Sequence, residues 1–426
     1  LEKEITKQAT SVADVLRRYA PQHLANVPTS IQQKKTLSRL MACRTRQMGG
    51  QSWHCTGCGH RHFRYHSCRD RHCPTCGGLA RWAWLEKMLG WKLPVEYVHV
   101  VFTLPHELLP LLLDNPRETY RLLFHSAWQA LSQPAAKKFG IRLGAVMVLH
   151  TWGQRMNAHV HVHCVVPLGG LTEDKSHWVS VGNVETLLET ADLADRFRAL
   201  YLQGLEKMHH KEELKLAGSL RPLTGRSLFE KWLAPLARKR WIVNVQPPPA
   251  HCQGPDAALK YLASYVAGSA IGNGRILRDD GRRVTFRVKE YREGGRQVTE
   301  RIAGTEFVRR FLLHILPPRF RRVRYYGFLG GCDSQKNLAR CRELLGVEEV
   351  ASGDSQVASQ DEGDTAAFDD PLAPTCPKCR TQQMEWLADL PPEEAWCVRR
   401  YNAWIRHFHR ERLLRTARQL AARPPP

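Results

Sequence analysis

Met156-Asn157-Ala158-His159-Val160-His161-Val162-His163-Cys164-Val165-Val166-Pro167 is the stretch on which the fold turns. Histidine alternates with a small apolar residue three times, then the run becomes apolar and stops at Pro167 and Gly169-Gly170. An extended chain points successive side chains to opposite faces, so His159, His161 and His163 share one face and Val160, Val162 and Cys164 the other. The second set suits a core. The first makes a poor core surface but a good platform for a divalent metal. A strand merely exposed at a sheet edge could carry incidental histidines, but three in register are unusual for one.

Working outward, Ile141 to Trp152 is a second strand, joined to the first by the short turn Gly153-Gln154-Arg155-Met156-Asn157. Two strands joined so closely pair as an antiparallel hairpin, which brings His150 over the histidine face. Tyr97 to Leu104 reads as a buried strand ending at Pro105, and residues 115–138 as an amphipathic helix with Tyr120, Leu123, Phe124, Trp128 and Leu131 at helical spacing. Further helices are expected over 184–216, Ser227–Lys239 and Glu306–Leu316, with strands over Trp241–Val245, Arg283–Tyr291 and Thr299–Ala303. An antiparallel sheet with helices on one side is an α+β architecture.

The chain has 426 residues, with 63 Lys and Arg against 41 Asp and Glu, a formal charge of +22. That balance points to a polyanion, most simply nucleic acid. No apolar run approaches the roughly 18–20 residues that cross a bilayer, and the first residues lack a signal-peptide pattern, so a cytoplasmic, nucleoid-associated location is expected. The absence of a GxGxxG or GKS/T loop argues against a fused ATPase or helicase.

Six of the 13 cysteines fall between Cys43 and Cys76. Cys55-Thr56-Gly57-Cys58 and Cys73-Pro74-Thr75-Cys76 are two CxxC pairs with turn residues at each knuckle, and their four thiolates can surround one structural Zn²⁺. Cys43, Cys68, His60 and His72 remain in the same stretch, as a second zinc site or as buried thiols and polar surface. A closed cysteine site leaves no open position for chemistry, so this module binds and orients. The interleaved Arg61, His62, Arg64, Tyr65, Arg69 and Arg71 suggest nucleic acid as what it binds. Cys376-Pro377-Lys378-Cys379 is a lone CxxC, which Cys332, Cys341 or Cys397 could complete, although loop thiols are the plainer reading. The expected layout is a basic helical segment (1–42), a zinc-binding recognition domain (43–80), a catalytic domain (81–347), an acidic flexible linker (348–372) and a basic tail (373–426). Within the third, Phe320 to Phe328 is basic and aromatic: Arg322, Arg324 and Tyr325 suit a single strand, with cations on phosphates and a ring against bases, or a plain basic edge strand.

Asp256-Ala257-Ala258-Leu259-Lys260-Tyr261-Leu262-Ala263-Ser264-Tyr265-Val266-Ala267-Gly268 has helical spacing. Tyr261 and Tyr265, at i and i+4, project together about 5.4 Å apart along the axis. Alone they would be a packed aromatic pair. Beside a histidine strand and a strong positive charge, they are the parts needed to cut one DNA strand by transesterification. A metal on the imidazoles polarises the scissile phosphate, and a tyrosine attacks to leave a 5′-phosphotyrosine and a free 3′-OH. A second tyrosine allows a second cut before the first strand is released.

The ordered set Ser67-Cys68-Arg69-Asp70-Arg71-His72-Cys73-Pro74, His150-Thr151-Trp152-Gly153-Gln154, His159 to Pro167, Tyr261-Leu262-Ala263-Ser264-Tyr265, Phe286-Arg287-Val288-Lys289 and Arg324 to Leu329 resembles the insertion sequence 91 family of HUH transposases over roughly residues 40–345. The resemblance implies a zinc-binding N-terminal domain and an HUH endonuclease domain, with a central antiparallel sheet and flanking helices. It implies a transposase that cleaves and rejoins single-stranded DNA at hairpin-bearing element ends and drives rolling-circle transposition. It also implies Mg²⁺ or Mn²⁺ for catalysis, one or two structural Zn²⁺, and no small-molecule cofactor. By it the HUH pair is His161 and His163. His150 is favoured over His159 as third ligand, with Gln154 or an acid elsewhere still open. Tyr261 and Tyr265 are the nucleophiles, Tyr261 first, and Lys260 steadies the phosphate. A plasmid-type replication initiator or relaxase would share this chemistry. A non-catalytic zinc-ribbon regulator would have no need of His161, His163, Tyr261 and Tyr265 together.

Overall fold

The computed structural model describes residues 10–182, 190–246, 268–290, 294–347, 375–380 and 384–392. The expected tyrosine helix with Lys260, Tyr261 and Tyr265, the acidic linker and the end of the basic tail lie outside the described residues.

Ser11 and Ser30 open the first two helices, α1 (Val12–Asn26) and α2 (Ile31–Ala42). Each serine forms a capping box, accepting from the backbone N–H three residues on while that residue, Asp14 or Gln33, accepts from the serine N–H. A hairpin of β1 (Gly50–Cys55) and β2 (Arg61–Tyr65) follows, then α3 (Gly77–Gly90) and β3 (Tyr97–Thr103). The chain continues through α4 (Leu109–Asp114) and α5 (Pro116–Phe139), which Gly140 ends in the left-handed conformation. Next come β4 (Ile141–Arg142), β5 (Gly144–Trp152), β6 (Ala158–Pro167), β7 (Gly169–Thr172) and β8 (Trp178–Ser180). After α6 (Thr190–His210), α7 (Arg226–Arg238) and β9 (Ile242–Gln246) stands a three-stranded sheet of β10 (Ile276–Asp279), β11 (Arg283–Glu290) and β12 (Arg296–Ala303). The remaining elements are α8 (Gly304–Leu312), β13 (Val323–Gly327), α9 (Ser334–Leu344) and β14 (Met384–Leu390).

The central sheet has the order β13-β5-β6-β3-β9, and all its pairings are antiparallel. Its strands alternate strictly. Val98, Val100 and Phe102 of β3, Met147 and Leu149 of β5, and Val160, Val162 and Cys164 of β6 enter one large core with Leu123 and Phe124 of α5, Phe197 of α6 and Phe229 of α7. The opposite face has two parts. At one end Tyr97, Val146 and Val165 pack with Met88 of α3 and Leu338 of α9. At the other end lie the histidines. The basic aromatic run forms β13, an edge strand. Gly327, at φ 62°, closes against β5 where a Cβ would come within 1.6 Å of the Leu143 carbonyl oxygen, a position only glycine fills.

The N-terminal helices do not stand apart as a basic arm. Val12, Leu16, Leu37 and Leu40 share a core with Phe286 of β11 and Phe307 and Phe311 of α8, and the Tyr19 hydroxyl donates to Asp279 at 2.6 Å. The β5–β6 turn plugs into the same core through Met156, fully buried at φ 55°. A non-glycine residue in that conformation costs about 1–3 kcal/mol and persists only where its surroundings hold it. Here the Met156 N–H donates to Gly153 O at 3.0 Å, and its own carbonyl accepts from His314 Nε2 at 3.1 Å. His314 Nδ1 in turn accepts from the Thr151 hydroxyl at 3.2 Å. His314 thus pins the hairpin that carries the histidine strand.

Burial pushes the His314 imidazole down from its ordinary 6.5 to about 4. Between those values the unfolded chain binds a proton that the folded chain does not, so stability is full above about pH 6.5 and is lost as pH falls toward 4. The full effect is on the order of 3 kcal/mol. Thermal unfolding between pH 7 and 4.5 is expected to show a shallower loss of Tm for His314→Gln than for wild type; equal slopes would remove His314 from this role.

Candidate metal centre and zinc module

Antiparallel pairing puts His150 directly opposite His161 and Val148 opposite His163, so β5 and β6 place three imidazoles on one face. The rings of His150 lie 5.4 Å from His161 and 4.4 Å from His163, with His161 and His163 4.8 Å apart. One nitrogen from each lies within 4.8 Å of the other two, close enough to bind one ion. All three are buried. His159 is not in this group: its ring lies between His161, at 4.9 Å, and His106, at 5.7 Å, and its carbonyl does the useful work.

That carbonyl accepts from His161 Nδ1 at 2.9 Å. A carbonyl only accepts, so the proton of the neutral ring sits on Nδ1 and Nε2 keeps its lone pair. His163 is oriented by a residue that sequence reasoning missed. His99 of β3 lies diagonally across from it on the same face, with Nε2 2.8 Å from His163 Nδ1 and the two rings stacked at 5.0 Å. With the shared proton on His163 Nδ1, its Nε2 is ready to ligate, the usual outer-shell arrangement at a histidine-bound metal. Val98-His99-Val100 repeats the valine–histidine alternation of β6, and that was the available signal. Burial depresses His161 to about 3, His99 to about 4 and His163 well below its ordinary value. At neutral pH these rings are uncharged, the form a metal needs. Trp152 stacks on His150 at 4.5 Å and closes one side.

In the zinc module the cysteines group differently from the expected Cys55, Cys58, Cys73 and Cys76. Cys73 and Cys76 gather with Cys43 and Cys68. The sulfurs of Cys43 and Cys68 each lie 3.6 Å from that of Cys76, and Cys43 lies 3.8 Å from Cys73. Four sulfurs at about 2.3 Å from a tetrahedral zinc would be about 3.8 Å apart, so this donor set fits the ion closely. Hydrogen bonds within the cluster pull the Cys73 thiol down to about 7 and Cys76 further, toward the thiolate that zinc requires, while Cys43 and Cys68 are pushed up. Cys55 and Cys58 stand instead with Cys376 and Cys379.

His60 and His72 join neither group. Cys55 N–H donates to the His60 carbonyl, whereas the His72 ring bridges two segments: Nδ1 donates to Asp70 at 2.8 Å and Nε2 accepts from the Leu316 N–H at 3.2 Å. Arg71, expected on phosphates, donates to the carbonyls of Phe320 and Pro317, the latter at 2.8 Å. Together His72 and Arg71 bolt the thiol loop to the 316–320 segment. Arg69 is exposed on that loop. Arg324 lies over the rings of Phe124, at 4.2 Å, and Phe320, at 5.2 Å. The Tyr325 hydroxyl accepts from Trp84 Nε1 at 3.1 Å, and its ring packs on Trp91 at 5.1 Å. These two side chains are occupied within the fold, the edge-strand reading of that run. Arg322 donates to Gly268 O at 2.7 Å and sits 5.9 Å above the Trp152 ring.

If His99 orients His163, Mn²⁺ titration followed by calorimetry should show His99→Ala weakening binding about 10- to 100-fold. His163→Ala should weaken it further; unchanged affinity in His99→Ala would make the His99–His163 contact mere packing.

Among the described residues no helix is long and apolar enough to cross a membrane. A family model described as "Putative transposase" matches residues 144–337, and one described as "Transposase zinc-binding domain" matches residues 15–104. The first takes in the β5–β6 hairpin, and the second the cluster of Cys43, Cys68, Cys73 and Cys76. The chain is 38% identical over 383 residues to "Putative transposase y4qJ" of Sinorhizobium fredii, covering 89% of this chain and 95% of that protein. It is 27% identical over 317 residues to the transposase for insertion sequence element IS801 of Pseudomonas savastanoi pv. phaseolicola, covering 73% of each. On these matches, the chain belongs to the insertion sequence 91 family of transposases.

Proposed function

We propose that this transposase acts as an HUH endonuclease on single-stranded DNA, cutting and rejoining element ends by way of a 5′-phosphotyrosine and so driving rolling-circle transposition. The observation that carries the reading is the convergence of three buried imidazoles, His150, His161 and His163, on one point of the sheet, with burial keeping His161 and His163 neutral. A divalent ion held there would supply electrostatic stabilisation at the scissile phosphate. The donor set fits: each ring presents a nitrogen, and the outer contacts of His161 and His163 leave Nε2 as the ligand atom. Imidazole nitrogens suit Mn²⁺ better than Mg²⁺, which prefers oxygen.

The chain's own residues supply the rest. Tyr261 or Tyr265 attacks the phosphorus, the new bond runs from the phenolic oxygen to phosphorus, and the bond from phosphorus to the 3′ oxygen breaks. The phenolic proton leaves, and the departing oxygen ends as a 3′-OH. Phenol ionises near pH 10, so attack at neutral pH needs help in losing that proton. The ester conserves the bond energy, so the reverse attack by a 3′-OH rejoins strands without ATP. Gly268, three residues beyond Tyr265, is tied by Arg322 next to Trp152, which itself stacks on His150. That anchor supports bringing the tyrosine segment to the histidines. Lys260, Arg69 and the charge of +22 support a nucleic-acid substrate.

The test is a single-stranded oligonucleotide carrying the element end, labelled at its 3′ end, incubated with protein and metal. Wild type should form a covalent, label-bearing adduct, at lower Mn²⁺ than Mg²⁺ concentration. Tyr261→Phe combined with Tyr265→Phe should abolish it. An adduct that survives the double substitution would assign the nucleophile elsewhere, and no adduct with wild type would contradict the cleavage chemistry.

A further inference from the structure

We propose that Cys55, Cys58, Cys376 and Cys379 form a second structural zinc site, which clasps the Cys376–Cys379 turn and β14 onto the N-terminal β1–β2 hairpin. Sulfur positions carry the first part. Cys55 Sγ lies 3.5 Å from Cys379 Sγ and Cys58 Sγ 3.6 Å from Cys376 Sγ, and all four lie within 4.8 Å of one another. These spacings are far beyond a disulfide's roughly 2.05 Å and near the roughly 3.8 Å edge of a zinc–sulfur tetrahedron.

Backbone geometry carries the second part. The residue after the second cysteine of each pair, Gly59 or Arg380, has a left-handed φ, 70° and 59°. Its N–H donates to the carbonyl of the first cysteine, at 2.8 Å in both cases. Two segments more than 300 residues apart along the chain thus adopt the same knuckle, facing one another across four sulfurs. Arginine, unlike glycine, is strained in that conformation. A ligand that both knuckles share accounts for it.

The third part is what the clasp holds. β14 pairs antiparallel with β1 from Cys55↔Met384 to Gly50↔Leu390, so the ladder starts at Cys55, the first cysteine of the β1 knuckle. Among the described residues little else secures it. The local core consists of Trp53, Cys55, Cys376 and Met384, and Trp386 and Leu387 of β14 are exposed by 54% and 45%. So small a core does not by itself fix a strand, whereas four-thiolate zinc is a sufficient anchor. The match to the zinc-binding domain spans residues 15–104, so it takes in Cys55 and Cys58 but not Cys376 and Cys379. It rests on sulfur and backbone geometry and not on the cleavage chemistry.

The test is zinc content of the full chain by elemental mass spectrometry, in a His161→Ala/His163→Ala background so that the histidines do not contribute. Two zincs per chain are expected. Cys376→Ser/Cys379→Ser should retain one and expose the 375–392 segment to protease. Cys73→Ser/Cys76→Ser should also retain one but keep that segment protected while the chain stays folded. Should the serine variants fail to fold, Cys379→His in cobalt-loaded protein preserves a ligand and should shift the thiolate–cobalt band. One zinc in the parent, two zincs in Cys376→Ser/Cys379→Ser, or an unmoved cobalt band would overturn the clasp.

Discussion

The register between β5 and β6 is the constraint on which the site depends. His150 faces His161 because the turn from Gly153 to Asn157 fixes which residues pair. A slip of one residue would turn His161 and His163 into the core and Val162 to the face that His150 occupies. Two forces prevent it. Val160, Val162 and Cys164 must stay in the core beneath the helices, and the turn is locked from outside by buried Met156 and its bond to His314. The three-histidine group is therefore set by an apolar face on the other side of the sheet.

The same economy joins the zinc module to the sheet. Cys43, Cys68 and Cys73 lie in the core that also holds α1, α2, α8 and Met156. His72 and Arg71, between the thiols, bond to the 316–320 segment that leads into β13. The thiol loop is thereby tied to the segment that leads into the strand paired with β5. The zinc module and the histidine hairpin share packing contacts through Met156.

Much of the fold was legible in the chain. The histidine strand, its hairpin partner, the β3 strand, α5, α7 and the β11–β12 pairing follow from periodicity and turn residues, because each is specified locally. The three-histidine group was legible for the same reason: a short turn leaves one plausible pairing. The cysteines were not. CxxC spacing says that two thiols form a knuckle but not which knuckles meet, and here Cys55 and Cys58 meet a pair more than 300 residues away. His72 has the spacing of a ligand, yet a carboxylate two residues back captures it first. Arg324 and Tyr325 resembled strand-binding residues, but the helices that cover an edge strand take up the same side chains. What the N-terminal helices pack on was not legible, because their partner, β10–β12, lies more than 200 residues downstream.

The most direct test of this account is pulsed electron paramagnetic resonance of bound Mn²⁺, which counts coordinated nitrogens. Wild type should show nitrogen couplings from imidazoles that diminish in His150→Ala, His161→Ala and His163→Ala but persist in His159→Ala. Absence of nitrogen coupling in wild type, or its persistence after all three ligand substitutions together, would contradict the assignment of the metal to the β5–β6 face.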